Sequence, residues 1–399
     1  MGYAERKEQS PQGNVPNLRF PEFSGEWDRI KVSDLLEFYP TNSLSWEQLD
    51  YSGEGIFNLH YGLIHKGLPT QVDVSENNLP TIKDEYIPKK MSLCQNGDVA
   101  FADASEDTND VAKCIEFANC DEQKIVCGLH TIHSRDAHNK TVTGFKGYAF
   151  SARAFREQIR RLAQGTKIYS ISSGNFSECY IGIPSKEEQC KIANLLLAVD
   201  QRIATQIKII EKLESLIKGL YERLFNIDSA AYIQLGNVAK IQKGQQINGE
   251  ELSEIGSYYV MNGGVVPSGY LEDFNTPANT ISISEGGNSC GYVQYNGVPF
   301  WSGGHCYTLI EPINSFNYKY LFHYLKFKEQ SIMALRIGSG LPNIQKKDLE
   351  RFPILNVSKE EQDKMACIFD DILDRIICER QIALKYEEQK KYLLSNLFI

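Results

Sequence analysis

Ser185-Lys186-Glu187-Glu188-Gln189 and Ser358-Lys359-Glu360-Glu361-Gln362 are the same five residues written twice in one chain, 173 positions apart. Around them, residues 176–225 and 349–398 align without a gap, with 17 identities in 50 positions. Unrelated segments of that length would share roughly three. Leu224-Phe225 returns as Leu397-Phe398, and at the same offset Gly165 falls on Gly338 and Ile171 on Ile344. Such a repeat marks two copies of one structural plan, so what these segments form decides the fold.

They read as helices. Ser185 with Glu188, and Ser358 with Glu361, fit the S-x-x-E capping box. In that box the serine oxygen accepts a backbone N–H and the glutamate reaches back to the serine N–H. Behind the first box the apolar residues keep a 4-3 spacing: Ile192, Leu196, Val199, Ile203, Ile210, Leu213, Ile217, Leu220 and Leu224. A period of about 3.5 residues is a coiled-coil seam. The second copy carries Met365, Phe369, Ile372, Ile376, Ala383, Tyr386, Lys390, Leu393 and Leu397 at the same places, a poorer seam. Each helix should be about 60 Å long. Gln206 and Glu379 interrupt the two seams near their middles. In an antiparallel pair related by a pseudo-two-fold axis, central residues meet. Gln206 and Glu379 are therefore expected to face each other and help fix the register; the alternative is that each reaches solvent at an edge.

The repeat continues upstream. Cys127-Gly128-Leu129-His130 resembles Ser302-Gly303-Gly304-His305 at an offset of 175, and Val32-Ser33-Asp34-Leu35-Leu36 resembles Leu235-Gly236-Asn237-Val238-Ala239 at 203. Each half thus reads as a variable globular domain followed by a similar helix. The fold class is α+β: two globular α/β domains separated by two long antiparallel coiled-coil helices, with a pseudo-two-fold internal repeat. The expected divisions are a disordered N-terminus (1–14), a first globular domain (15–184), a central long helix (185–227), a second globular domain (228–357) and a C-terminal long helix (358–399). Asp98-Val99-Ala100-Phe101 and Thr280-Ile281-Ser282-Ile283 read as buried strands. Gly-rich turns are dense between Asn262 and Gly304. Phe150 to Gln164 reads as a helix closed by Gly165.

Composition and motifs exclude much. The chain has 399 residues, 42% of them hydrophobic, enough for real cores. No apolar run approaches a membrane span, and the polar start lacks a signal core, so a cytoplasmic protein is expected. None of the ten cysteines lies in Cys-x-x-Cys, and Cys114, Cys120 and Cys127 lack zinc spacing, so reduced thiols and no metal are expected. His130 and His133 form H-x-x-H, but in a strand those positions face opposite sides. There is no phosphate loop and no Pro-Pro pair of an amino-methyltransferase motif; Gly338-Ser339-Gly340 reads as a turn, and Asp121-Glu122-Gln123-Lys124 as a solvated loop. No catalytic residue is found. The formal charge of −9 weighs against a free-standing DNA binder.

From Val15 to Phe398 the chain resembles the specificity (S) subunits of type I restriction–modification systems. The resemblance rests on Leu18-Arg19-Phe20-Pro21-Glu22-Phe23-Ser24-Gly25-Glu26-Trp27, on the doubled Glu-Glu-Gln helix start, and on the Gly-Ser-Gly-Leu-Pro-Asn-Ile-Gln run at 338–345. Residues 165–172 are a looser copy of that run, without its second glycine and its proline. The resemblance implies two target-recognition domains on one double-stranded DNA, each reading half of a split, asymmetric site, with the helices as a ruler between them. It implies two methyltransferase (M) subunits docked on this scaffold, carrying S-adenosylmethionine and methylating adenine N6, and motor–nuclease (R) subunits using ATP and Mg. It implies no cofactor and no catalysis in this chain. The acidic charge is tolerable if the M subunits complete a basic channel; the isolated chain should bind DNA weakly.

Base reading needs paired donors and acceptors, and phosphate contacts need Lys, Arg, hydroxyls and backbone N–H groups. The candidates in the first domain are Tyr61, His65 and Lys66 on an expected loop, then Ser105, Arg135 and Lys167. In the second they are Lys243, Gln245 and Gln246, then Asn288 and Ser289 beside Gly286-Gly287, Trp301 and Arg336. Trp301 also reads as core, and Lys243 as a solvated turn residue. His130 and His305, matched between the halves, suggest a structural hydrogen bond. Arg153, Arg156, Arg160 and Arg161 either track phosphate or cover a helix face. Other readings are the specificity subunit of a related restriction system with different nuclease partners, an enzyme in one chain, and a coiled-coil scaffold that does not read DNA.

Overall fold

The structure, a computed structural model, describes residues 13–51, 55–75, 79–120, 123–227, 231–338 and 342–399. Asp121, Glu122 and Ser339 to Leu341, which carry the acidic-x-Lys and G-x-G readings, lie outside them. The chain folds as two compact units, 1–206 with 382–399, and 207–381. Each unit takes one globular domain and half of each long helix.

The helices run Lys186–Phe225 and Lys359–Asn396. Every seam position named above is buried or half-buried, as a coiled-coil stripe requires. Their antiparallel sense is visible inside each unit. In the first, Asp200 pairs with Lys390 at 2.6 Å while Ile192 and Leu196 pack in one cluster with Leu393 and Leu397; in the second, Glu214 pairs with Arg380 and the Tyr221 ring lies 4.6 Å from that of Phe369. Position therefore rises along one helix as it falls along the other.

The globular parts share one strand plan. In the first unit the main sheet runs Glu37–Tyr39, Thr131–Arg135, Val99–Ala102, Cys114–Ala118, then Gln71–Asp73. In the second it runs Lys240–Lys243, Cys306–Ile310, Thr280–Ser284, Val293–Asn296. His133 stands opposite Ala100, and Thr308 opposite Ser282. A second sheet in each unit holds a parallel pair: Lys124–Cys127 beside Ile56–Leu59, and Trp301–Ser302 beside Tyr258–Met261. An antiparallel ribbon leads into each long helix, Asp28–Lys31 with Tyr180–Ile183, and Tyr232–Gln234 with Pro353–Leu355. The two expected buried strands are buried at every residue, as central strands covered on both faces should be.

Aromatic residues fill both cores. Phe101, Phe150, Phe155 and Phe176 cluster in the first unit with Ile192 and Leu196 of the first long helix and with Leu397 and Phe398 just past the second. Phe225, Tyr320, Tyr324 and Phe369 do the same in the second. The helix expected over 150–164 is two helices, Phe145–Ser151 and Arg153–Leu162, broken where Ala152 turns extended. Gly165 is not its cap. It sits in a tight turn at φ 146°, where a Cβ would lie 1.9 Å from the Ile168 carbonyl oxygen. Gln206 and Glu379, the expected register pair, belong to different units. Glu379 is buried and finds a cation in its own helix, Arg375 one turn back.

Candidate nucleic-acid interface

In both units the central buried strand ends on an acidic residue that faces a histidine. Asp103 follows Val99–Ala102, and its Oδ1 lies 3.1 Å from His130 Nδ1. Glu285 follows Thr280–Ser284, and its Oε2 lies 3.6 Å from His305 Nδ1. These are the two histidines matched in the sequence repeat, and each has a carboxylate partner. His130 adopts a left-handed backbone, φ 54°, a conformation with a cost for a residue with a Cβ. Both imidazoles stay exposed.

Around Asp103 the first unit gathers most of its candidates. Tyr61, His65 and Lys66 lie on a short helix, Tyr61–Lys66, and not on a loop. His60 caps it, its Nδ1 accepting from the Gly62 N–H at 3.1 Å, and Gly67 closes it in the left-handed region. Burial, with repulsion from His130 and Lys66, holds the His60 pKa below its usual value, which keeps Nδ1 free to accept. The rings form a connected surface: Trp46 on His60 at 4.3 Å, Tyr61 edge-on to His130 at 5.2 Å, Lys66 over Trp46 at 5.6 Å. His65 Nε2 lies 2.9 Å from the Ala104 carbonyl oxygen. Ser105 pairs with Tyr169, which brings the turn of Lys167 alongside. His60 heads the mixed aromatic and basic stretch that carries Tyr61, His65 and Lys66; Trp46, fourteen residues earlier, had no signal of its own in the sequence.

Arg135 stands apart. It grips Asp98 through two hydrogen bonds of 2.7 and 2.8 Å, donates to the Leu93 carbonyl oxygen, and stacks on Tyr39 at 4.7 Å. With Nε and Nη2 committed, it ties the strand ends together. Among the arginines of 153–161, Arg156 is half-buried and donates to the Asn109 carbonyl oxygen, while Arg153 pairs with Glu157 at 2.8 Å.

Around Glu285 the second unit gathers its own set. Lys243 Nζ sits 2.6 Å from Glu285 Oε1, which also accepts from the Tyr307 hydroxyl at 3.0 Å. Trp301, half-buried, donates from Nε1 to the Gln245 carbonyl oxygen at 3.3 Å. Gln246 lies over Gly304, where a Cβ would come within 2.2 Å of its Oε1. Asn288 and Ser289 follow Gly287, whose φ of 77° suits glycine. Asn343 bridges both Gly286 and Ile337, which sets Arg336 beside that loop. The two clusters occupy matching places on one plan and differ in nearly every side chain.

Residues 26–215 and 228–387 each match the type I restriction modification DNA specificity domain. The chain belongs to that family and carries two copies of its domain. It is 37% identical over 122 residues to a type I specificity subunit of Mycoplasma pneumoniae, covering 30% of this chain and 32% of that protein. It is 32% identical over 163 residues to a second such subunit, from Mycoplasma genitalium, covering 39% of this chain and 42% of that protein. These alignments span less than half of either relative. The crystal structure of a type I restriction–modification S subunit from M. genitalium has the same fold, with a TM-score of 0.64 at 20% identity over 96% of this chain and 99% of that one. A chain from a structural study of type I complex assembly follows at 0.53 and 16% identity, over 92% and 96%. Among the described residues, no helix is long and apolar enough to cross a membrane.

Proposed function

We propose that this chain is the DNA-reading specificity subunit of a type I restriction–modification complex in the cytoplasm. Each globular domain reads one half of a bipartite, asymmetric site. The long helices hold the halves at fixed spacing and carry two methyltransferase subunits, through which motor–nuclease subunits join. The chain itself has no catalytic role; S-adenosylmethionine, ATP and Mg belong to the partners. One observation carries the reading: two copies of a single strand plan present different polar and aromatic side chains at the same place. Two unlike readers on one scaffold suit an asymmetric target, whereas a symmetric dimer would impose a palindrome.

A methylation map of host DNA, with the gene present and deleted, tests this. One split adenine-N6 motif should vanish on deletion. Replacing Lys66 and Lys167 by alanine should weaken recognition at one half-site and leave the other unchanged, and Lys243 with Gln246 should do the reverse. A base contact is worth about 1–3 kcal/mol of discrimination. An unchanged map, with the methyltransferase expressed, would sink the reading.

A further inference from the structure

Cys94, Cys127 and His133 come from three separate segments of the first unit and meet in its interior. Cys127 ends the strand Lys124–Cys127, and His133 is the middle residue of Thr131–Arg135. Cys94 is laid against them by its N–H bond to the Ile125 carbonyl oxygen, at 2.8 Å. All three are buried. The two sulfurs are 3.6 Å apart, and one ligand atom from each residue lies within 4.8 Å of the others. Among the described residues this is the one group of histidine, cysteine or carboxylate side chains so arranged.

His133 gives the cluster a direction. Its Nε2 is 2.7 Å from Asp98 Oδ2, while its Nδ1 is buried without a hydrogen bond of normal geometry, and the ring interacts otherwise only with the neighbouring Cys94 thiol. Asp98 is fixed in turn by Arg135 and by the Gln95 N–H at 2.9 Å. A buried ring nitrogen without a good hydrogen bond is costly unless something occupies its lone pair. Histidines that ligate metals donate their other N–H to a carboxylate in this way, which fixes the tautomer. A zinc ion with Zn–S bonds of about 2.3 Å separates two thiolates by about 3.8 Å, close to the spacing seen. Charge closes as well: two thiolates neutralise a divalent ion, and Asp98 is balanced by Arg135. A buried cluster of zero net charge avoids the desolvation penalty of an unpaired ion.

We propose that Cys94, Cys127 and His133 bind one soft divalent ion, Zn2+ foremost, with Asp98 as a positioning residue and a fourth position left for water. The ion would pin the strand end that leads through Gly128 to His130, and so the first unit's reading surface. The second unit lacks it: Ser302 and Thr308 stand where Cys127 and His133 do, on the repeat at offset 175.

The full chain, reduced and stripped of metal, is titrated with Co2+ and then Zn2+. One equivalent should bind, with a thiolate-to-cobalt band in the near ultraviolet that Zn2+ abolishes, and Zn2+ should raise the melting temperature. Cys94→Ser and Cys127→Ser should each lose the band, and Cys190→Ser, an exposed thiol on the first long helix, should keep it. Asp98→Asn should keep the band and weaken binding 10- to 100-fold, as expected of a supporting carboxylate. Absence of the band in the folded, reduced wild type overturns the proposal, whatever the variants do. So does its persistence in the Cys94→Ser/Cys127→Ser double variant, or a Cys94–Cys127 disulfide in freshly purified protein.

Discussion

In the first unit the interior of the sheet holds a fully buried ion pair; in the second it holds phenols, one imidazole and the carboxylate of Glu285, whose cation Lys243 reaches solvent. Glu116 and Lys146 are both buried in the first, 3.0 Å apart, with Glu116 Oε2 accepting from the Gly147 N–H at 2.8 Å. Asp98 and Arg135 form a second charged pair beside them, with His133 sharing an Asp98 oxygen. In the second unit Tyr307, Tyr318, Tyr320 and Tyr324 carry the polarity, and His323 sits between Tyr221 of the first long helix and Asp370 of the second, at 2.8 and 3.0 Å. One strand plan tolerates both solutions because the strand order asks only that each polar group find its partner. The side chains that fill it are free to diverge, as two readers of different half-sites require.

Removing a partner should therefore hurt the first unit most. Lys146→Met leaves Glu116 buried with no cation, and such a loss costs about 3–5 kcal/mol. Burial already raises the Glu116 pKa, with Lys146 the leading force against that rise. Denaturant unfolding followed through the buried Trp27 should report the loss, and Glu116→Gln with Lys146→Met should recover much of it. A single variant as mild as a surface substitution would break the contrast between the units.

The second unit should instead respond to acid. Burial holds the His323 pKa down at about 4, against the opposing pull of Asp370 and with Lys319 adding to the lowering. The unfolded histidine takes its proton first as the pH falls. Stability is then full above about 6.5 and lost progressively towards pH 4, by roughly 3 kcal/mol in all. The neutral ring fits its contacts: Nε2–H donates to Asp370 and Nδ1 accepts from the Tyr221 hydroxyl. Hydrogen exchange of the helix Tyr318–Phe327 should quicken over that pH range in the wild type; a flat profile would mean that His323 does not control it.

Where the units are alike, the effects should be equal. Gln189 Oε1 accepts from the Val142 N–H at 2.9 Å, and Gln362 Oε1 from the Asn317 N–H at 2.7 Å. Both glutamines are buried, and each ties a globular loop to the first turn of a long helix. Alanine at either should cost about 1–2 kcal/mol by leaving that N–H unmatched. A large inequality in thermal unfolding would show that the repeated five residues do different work in the two halves.

Those five residues explain why the architecture was legible. A helix start and a seam are local patterns, and their repetition fixed two domains and two helices. The matched His130 and His305 were legible for the same reason. Cys94, Cys127 and His133 were not, because spacing rules look along the chain, and here a parallel strand pair and a neighbouring sheet bring distant residues together. The partner of Arg135 was hidden for the same reason: Asp98, 37 residues earlier, takes its Nε and Nη2. The helix over 150–164 was drawn through Ala152, whose alanine gave no sign of a break. The helix Tyr61–Lys66 was missed because its cap is a histidine ring, outside the usual Ser, Thr, Asp and Asn.

The smallest difference lies at the helix starts themselves. Ser358 makes the whole box: its oxygen accepts from the Glu361 N–H at 3.3 Å, and Glu361 Oε2 takes the Ser358 N–H at 3.0 Å. Ser185 makes only the first of these bonds, also at 3.3 Å. Glu188 has turned to Arg19, which holds both its oxygens at 2.8 and 2.7 Å and ties the segment ahead of the first strand to the helix. That segment has no counterpart ahead of the second helix, since the matching stretch of chain is the end of the first helix. Ser358→Ala should cost about 1 kcal/mol, the usual worth of a serine cap. Ser185→Ala should cost visibly less, because the glutamate at its helix start keeps its partner when the serine is gone. Equal losses, measured by unfolding each unit separately, would mean that Arg19 adds a contact without replacing the box.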